Sequence, residues 1–181
     1  MKALLACAVL AVASMTGFAQ AADPPPVVAD RDFGLFGAWK VFEGADSRGE
    51  YCWMGEQSGG ATSIAFIVSA DDPTRVAVLL SRPTGFGAIK PGEEFQLFHT
   101  ANNIRRAGEQ ATVSANPFFA FFAIAADTLK VFAQQVASGE AFDWTLDAPD
   151  AGLEAKSVPL EGFPTAVATM GVCLSSLGAS F

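Results

Sequence analysis

The stretch Thr62–Arg82, TSIAFIVSADDPTRVAVLLSR, holds two short apolar runs rich in β-branched residues on either side of Asp71, Asp72 and Pro73. Runs of this length bounded by turn-forming residues read as an antiparallel hairpin, Thr62–Ser69 paired with Arg75–Arg82. Val76, Ala77, Val78, Leu79 and Leu80 follow one another without polar alternation. That pattern predicts a central strand covered on both faces.

Working outward toward the N-terminus, Ala38–Glu43 and Tyr51–Glu56 read as two more strands, with turns at Asp46–Gly49 and Ser58–Gly60. Toward the C-terminus, Pro91 and Gly92 set a turn before a strand over Glu93–Phe98. Asn102 and Asn103 turn the chain again, and Gln110–Ala115 is a further short strand. The period then changes. Leu129, Phe132, Ala133 and Val136 fall on one stripe of an amphipathic helix, with Asp127 as N-cap and Gly139 as terminator. Phe142, Trp144 and Leu146 alternate with Asp143 and Thr145 as a half-buried strand. A second helix starts at Pro164 and turns Ala166, Met170, Cys173 and Leu177 inward. The expected fold class is α+β: mainly antiparallel β, as a sandwich or partly closed sheet, with two packed helices.

The N-terminus reads differently. Met1 and Lys2 precede an apolar run from Ala3 to Ala13, and Ala19, Gln20 and Ala21 form a small-residue cleavage site, so residues 1–21 read as a secretory signal. The apolar run is shorter than the roughly 20 residues needed to cross a bilayer, and Cys7 leaves with the signal. Residues 22–32, including Pro24–Pro26, read as an extended leader, and residues 33–181 as one domain. The hydrophobic share of 51% suits a packed core. The formal charge of −8, or −9 once Lys2 is removed, argues against nucleic acid and anionic membranes as partners. No membrane span is expected after signal cleavage.

Two cysteines, Cys52 and Cys173, survive processing. In an oxidising compartment such a pair is most simply one disulfide. The long loop it closes makes the bond worth on the order of 4 to 5 kcal/mol in the chain-entropy description.

Catalytic chemistry is hard to place. His99 is the one histidine, no serine lies in a Gly-x-Ser-x-Gly elbow, and one histidine with two distant cysteines does not suit zinc. Asp143, Asp147, Asp150 and Glu154 are the densest acidic stretch, but their spacing is not that of a calcium loop and reads as solvated. Gly55–Gly60 lacks the lysine and helix start of a phosphate cradle. Neither a catalytic residue nor a cofactor or metal is expected. The group most open to functional use is Phe118, Phe119, Phe121 and Phe122, with Trp144. In a strand these phenylalanines leave on opposite faces, so the group either fills a core from both sides or presents a partner or ligand surface.

Several of these residues, in this order, resemble the invasion-associated locus B family of exported bacterial proteins across Phe33–Leu174. They are Trp39 in the first strand, Cys52 after Tyr51, the strand-ending Arg82 and Pro83 followed by Gly85, and Gly92–Phe95. After these come the helix Leu129–Gly139, then Leu160, Gly162, Phe163 and Ala166, and finally Cys173. Asp147–Gly152 departs from the family's glycine- and serine-rich turn. The resemblance implies a periplasmic or secreted, non-enzymatic protein linked to host-cell or envelope interaction, whose partner is a protein. The other reading of the aromatic group is a periplasmic carrier of a small hydrophobic ligand, with a pocket lined by Phe118, Phe119, Phe121, Phe122 and Trp144.

Overall fold

A computed structural model describes residues 29–57 and 60–181; the signal assigned to residues 1–21 lies outside the described residues. Ten strands form one antiparallel sheet: β1 Ala29–Phe36, β2 Trp39–Asp46, β3 Gly49–Glu56, β4 Ser63–Ser69, β5 Arg75–Ser81, β6 Glu94–Ala101, β7 Ile104–Val113, β8 Phe119–Ala125, β9 Trp144–Ala148 and β10 Leu153–Ser157. Their spatial order is β1-β2-β3-β4-β5-β8-β7-β6-β9-β10. The chain therefore lays down one meander, β1 to β5, and then a second, β6 to β8, which returns to pair β8 with β5. The β9–β10 hairpin extends the far edge beyond β6. Helices α1 (Ala126–Ser138) and α2 (Phe163–Ser176) complete the α+β fold read from the sequence.

Strand alternation decides which residues make the core. Ile64, Phe66 and Val68 of β4 and Val76, Val78 and Leu80 of β5 are buried on one face, where they meet Trp39, Met54 and Phe163. Phe163, at the start of α2, touches Trp39, Phe66, Phe132 and Trp144 with ring centroids 5.3 to 5.9 Å apart. These rings come from β2, β4, α1 and β9, so the sheet curls around its helices. The curl also brings Lys156 of β10 within 2.6 Å of the buried Glu56 of β3. β1 and β10 do not pair, so the sheet stays open at its edges while contacts cross its interior.

The disulfide Cys52–Cys173 is formed and ties β3 to α2, with Cα atoms 6.1 Å apart, a separation suited to the bond. Ala166, Met170 and Cys173 are all buried, as the helical spacing requires. Gly162 precedes α2 at φ +74°, and a Cβ there would stand 2.1 Å from the carbonyl oxygen of Phe36. Only glycine suits that close approach.

Several expectations need correction. The sheet begins at Ala29, before Phe33, because the end of the leader pairs with β2 as β1. β5 is not covered on both faces: Ala77 and Leu79 alternate with the buried positions and are only half-buried, since both helices pack on the inner face. β7 runs over ten residues; its first four, Ile104–Ala107, are exposed and held by pairing with β6, with no apolar alternation to mark them as a strand. Asp127 is not the N-cap. β8 runs straight into α1 through Ala125, and Asp127 lies in the first turn, where its charge suits the helix dipole and meets Lys130 at 2.7 Å. Gly139, at φ +77°, does end the helix. Phe142 falls outside β9 and is 67% exposed, because Asn102 holds the α1–β9 connection through Glu140, Phe142 and Asp143. The acidic stretch is not a solvated loop: Asp147 ends β9 facing Arg105, and Glu154 lies in β10.

Candidate functional site: an interior cleft and an apolar sheet face

Helix α1 covers the inner face only in part. Leu129 and Ala133 bury against β5 and β8, but between α1 and the β6–β7–β9 wing a cleft of about 770 Å³ stays open. Its floor is Phe66, Val78, Leu97, Phe122, Phe132, Trp144 and Leu146, apolar side chains from six elements of the fold. Ile104 on β7 and Val131 on α1, each more than half exposed, stand at its mouth. The size and apolar lining are those of a small-molecule site.

The polar groups of the cleft come mainly from the β6–β7 hairpin. Asn102 and Asn103, with φ of +52° and +62°, make its tight turn. The turn sets His99 of β6 opposite Arg106 of β7, with Leu146 of β9 on the other side of His99. Gly108 leaves room for the imidazole, since a Cβ there would come 3.3 Å from Nδ1. Burial, and secondly the Arg106 guanidinium, hold the His99 pKa below its ordinary value. The shift favours the neutral imidazole, in which one ring nitrogen can donate and the other can accept.

Arg105 and Arg106 are neighbours with opposite environments. Arg105 lies on the outer face, 2.6 Å from Asp147 and stacked 3.9 Å over the ring of Phe98. Arg106 turns into the cleft and makes no ion pair among the described residues. Glu109 and Asp127 also border the cleft, and Asp127 is engaged by Lys130.

The outer face of the sheet carries a second feature. Residues paired across an antiparallel ladder share a face. The register Phe42↔Trp53, Trp53↔Ile67, Ala65↔Leu79, Leu79↔Phe121 and Ser81↔Phe119 thus draws one apolar surface across β2, β3, β4, β5 and β8. Phe42 and Trp53 stack at 5.8 Å. Trp53 lies over Gly55, where any Cβ would strike its indole nitrogen. A depression of about 390 Å³ opens between Trp53 and Phe119 over Gly55, Ala65 and Leu79, bordered by Ser63 and Ser81.

The five aromatic residues expected to line one pocket do not converge. Phe122 and Trp144 line the interior cleft, Phe119 and Phe121 point to the outer face, and Phe118 lies 47% exposed in the turn before β8. Alternation along β8 splits them, as a strand requires. His99, the one histidine and without a role in the sequence reading, lines the cleft together with Arg106, which the sequence reading does not single out. The one sequence signal for Arg106 is its adjacency to Arg105, which strand geometry sends to opposite faces.

No family model, no curated protein and no solved structure matches this chain. The residues themselves therefore carry the functional reading.

Proposed function

We propose that this chain is an exported, non-enzymatic interaction protein of the invasion-associated locus B kind, which meets a protein partner through the outer face of β2, β3, β4, β5 and β8. One observation carries the reading: a contiguous apolar surface that has, among the described residues of these five strands, no charged side chain between Lys40 at one end and Arg75 at the other. Among the described residues, neither helix packs on it. Contiguous apolar patches of this kind mark interaction surfaces. The depression between Trp53 and Phe119 suits an inserted anchoring side chain.

Export is supported by the N-terminal sequence pattern and by the disulfide, which persists in oxidising compartments. Among the described residues, no helix is long and apolar enough to cross a membrane. The family assignment rests on the order of matching residues from Trp39 to Cys173. The non-enzymatic part rests on the single histidine and the lack of a recognisable nucleophile motif.

The test places a charge in the middle of the face. Leu79→Lys keeps the inner core of β5 intact. With its circular dichroism unchanged, the variant is expected to lose at least about tenfold of the partner that the wild-type protein captures from envelope extract. Equal capture by the two proteins removes the outer face as the contact surface.

A further inference from the structure

We propose that the interior cleft is a binding site for a small amphipathic anion, an apolar ring or chain bearing one carboxylate, with Arg106 receiving the charged end. The site is separate from the outer face and does not depend on the reading given to it. The body of the ligand meets Phe66, Phe122, Phe132 and Trp144, and the volume of about 770 Å³ lies within the range of small-molecule pockets.

The two adjacent arginines make the argument. Strand alternation separates two side by side, sending one to each face of β7. Arg105 is satisfied by Asp147 and Phe98 on the outside; Arg106 is directed to the cleft wall with no acidic group within ion-pair distance among the described residues. His99 stands beside it and, in its neutral form, can add a hydrogen-bond donor without a second charge. A guanidinium fork on a partly apolar wall suits a carboxylate held in two hydrogen bonds. Glu109 and Asp127 also face the cleft and disfavour a ligand with more than one negative charge. Lys130 offsets Asp127, so the local balance admits one anionic group.

Calorimetry on the oxidised protein with three probes of equal chain length, dodecanoate, dodecanol and dodecylamine, tests the assignment. Dodecanoate is expected to bind about tenfold more tightly than dodecanol, the contribution of one charge-assisted contact. Dodecylamine is expected to be the weakest. Arg106→Gln, an exposed position whose replacement leaves the core untouched, is expected to make dodecanoate and dodecanol equal while leaving dodecanol affinity unchanged. Val131→Trp, at the exposed mouth, is expected to abolish binding of all three. Overturning results are no binding of any probe to the folded protein, dodecanol or dodecylamine binding as tightly as dodecanoate, an Arg106→Gln variant that keeps the preference, or a Val131→Trp variant that binds as wild type.

Discussion

The two helices lie on the same face of one sheet and do opposite things there. α2 buries Phe163, Ala166, Val167, Met170, Cys173 and Leu174 and is bonded to β3 through Cys52; the interior beneath it is filled. α1 buries only Ala126, Leu129 and Ala133, and beside it the interior stays open as the cleft. One end of the curled sheet is thus made rigid by packing and a covalent link, while the other keeps apolar surface within reach of solvent. A scaffold of this kind holds a site in shape without closing it.

The contrast can be broken most severely at the packed end. Replacing Cys52 and Cys173 by alanine releases a loop of 121 residues and is expected to cost about 4 to 5 kcal/mol, read as a lower urea midpoint than the oxidised wild type shows. A loss below about 1 kcal/mol would mean that packing alone holds α2 in place.

A pair of truncations compares the helices directly. Phe163→Ala removes a fully buried ring that touches four other aromatics, and about 3 to 5 kcal/mol is expected to go with it. Phe132→Ala on α1 removes a half-buried ring at the cleft and is expected to cost about 1 to 2 kcal/mol. Equal costs in chemical denaturation would refute the distinction between a filled and an open end.

The smallest effect is set by pH at the open end. Folded His99 takes up a proton less readily than it does in the unfolded chain, because burial and Arg106 oppose its charge; Glu109 and Asp127 on the same cleft do not reverse this. Stability is therefore expected to be full above the ordinary imidazole value of 6.5, to fall as the pH drops through it, and to level off below the lowered folded value. Denaturation midpoints measured across that window are expected to fall less in His99→Gln; parallel profiles for the two proteins would assign the titration elsewhere.

Much of the packed end was legible in the sequence, with parts of α1 at the open end. β2 to β5, the glycine stop of α1, the inward face of α2 and the disulfide all leave local marks: apolar runs between turn residues, a 3.6-residue stripe, an even pair of cysteines. β1 and β10 were missed because β1 carries Asp30, Arg31 and Asp32 in its first half and β10 carries Glu154, Lys156 and Ser157, so that pairing rather than hydrophobic pattern makes them strands. The cleft was not legible for a different reason. Phe66, Phe122, Phe132 and Trp144 lie far apart along the chain and meet only once β8 returns to β5 and β9 joins β6. The cluster Phe118–Phe122 drew the eye as a unit, yet the strand that contains most of it is what divides it.

The Cys52–Cys173 bond also sets an order on its own formation. Its first sulfur is made early and its second 121 residues later, within the last helix, so a polypeptide stopped before residue 173 carries an unmatched thiol. Such a fragment stays open to thiol exchange, and oxidation distinguishes chains that hold both cysteines from chains interrupted between them.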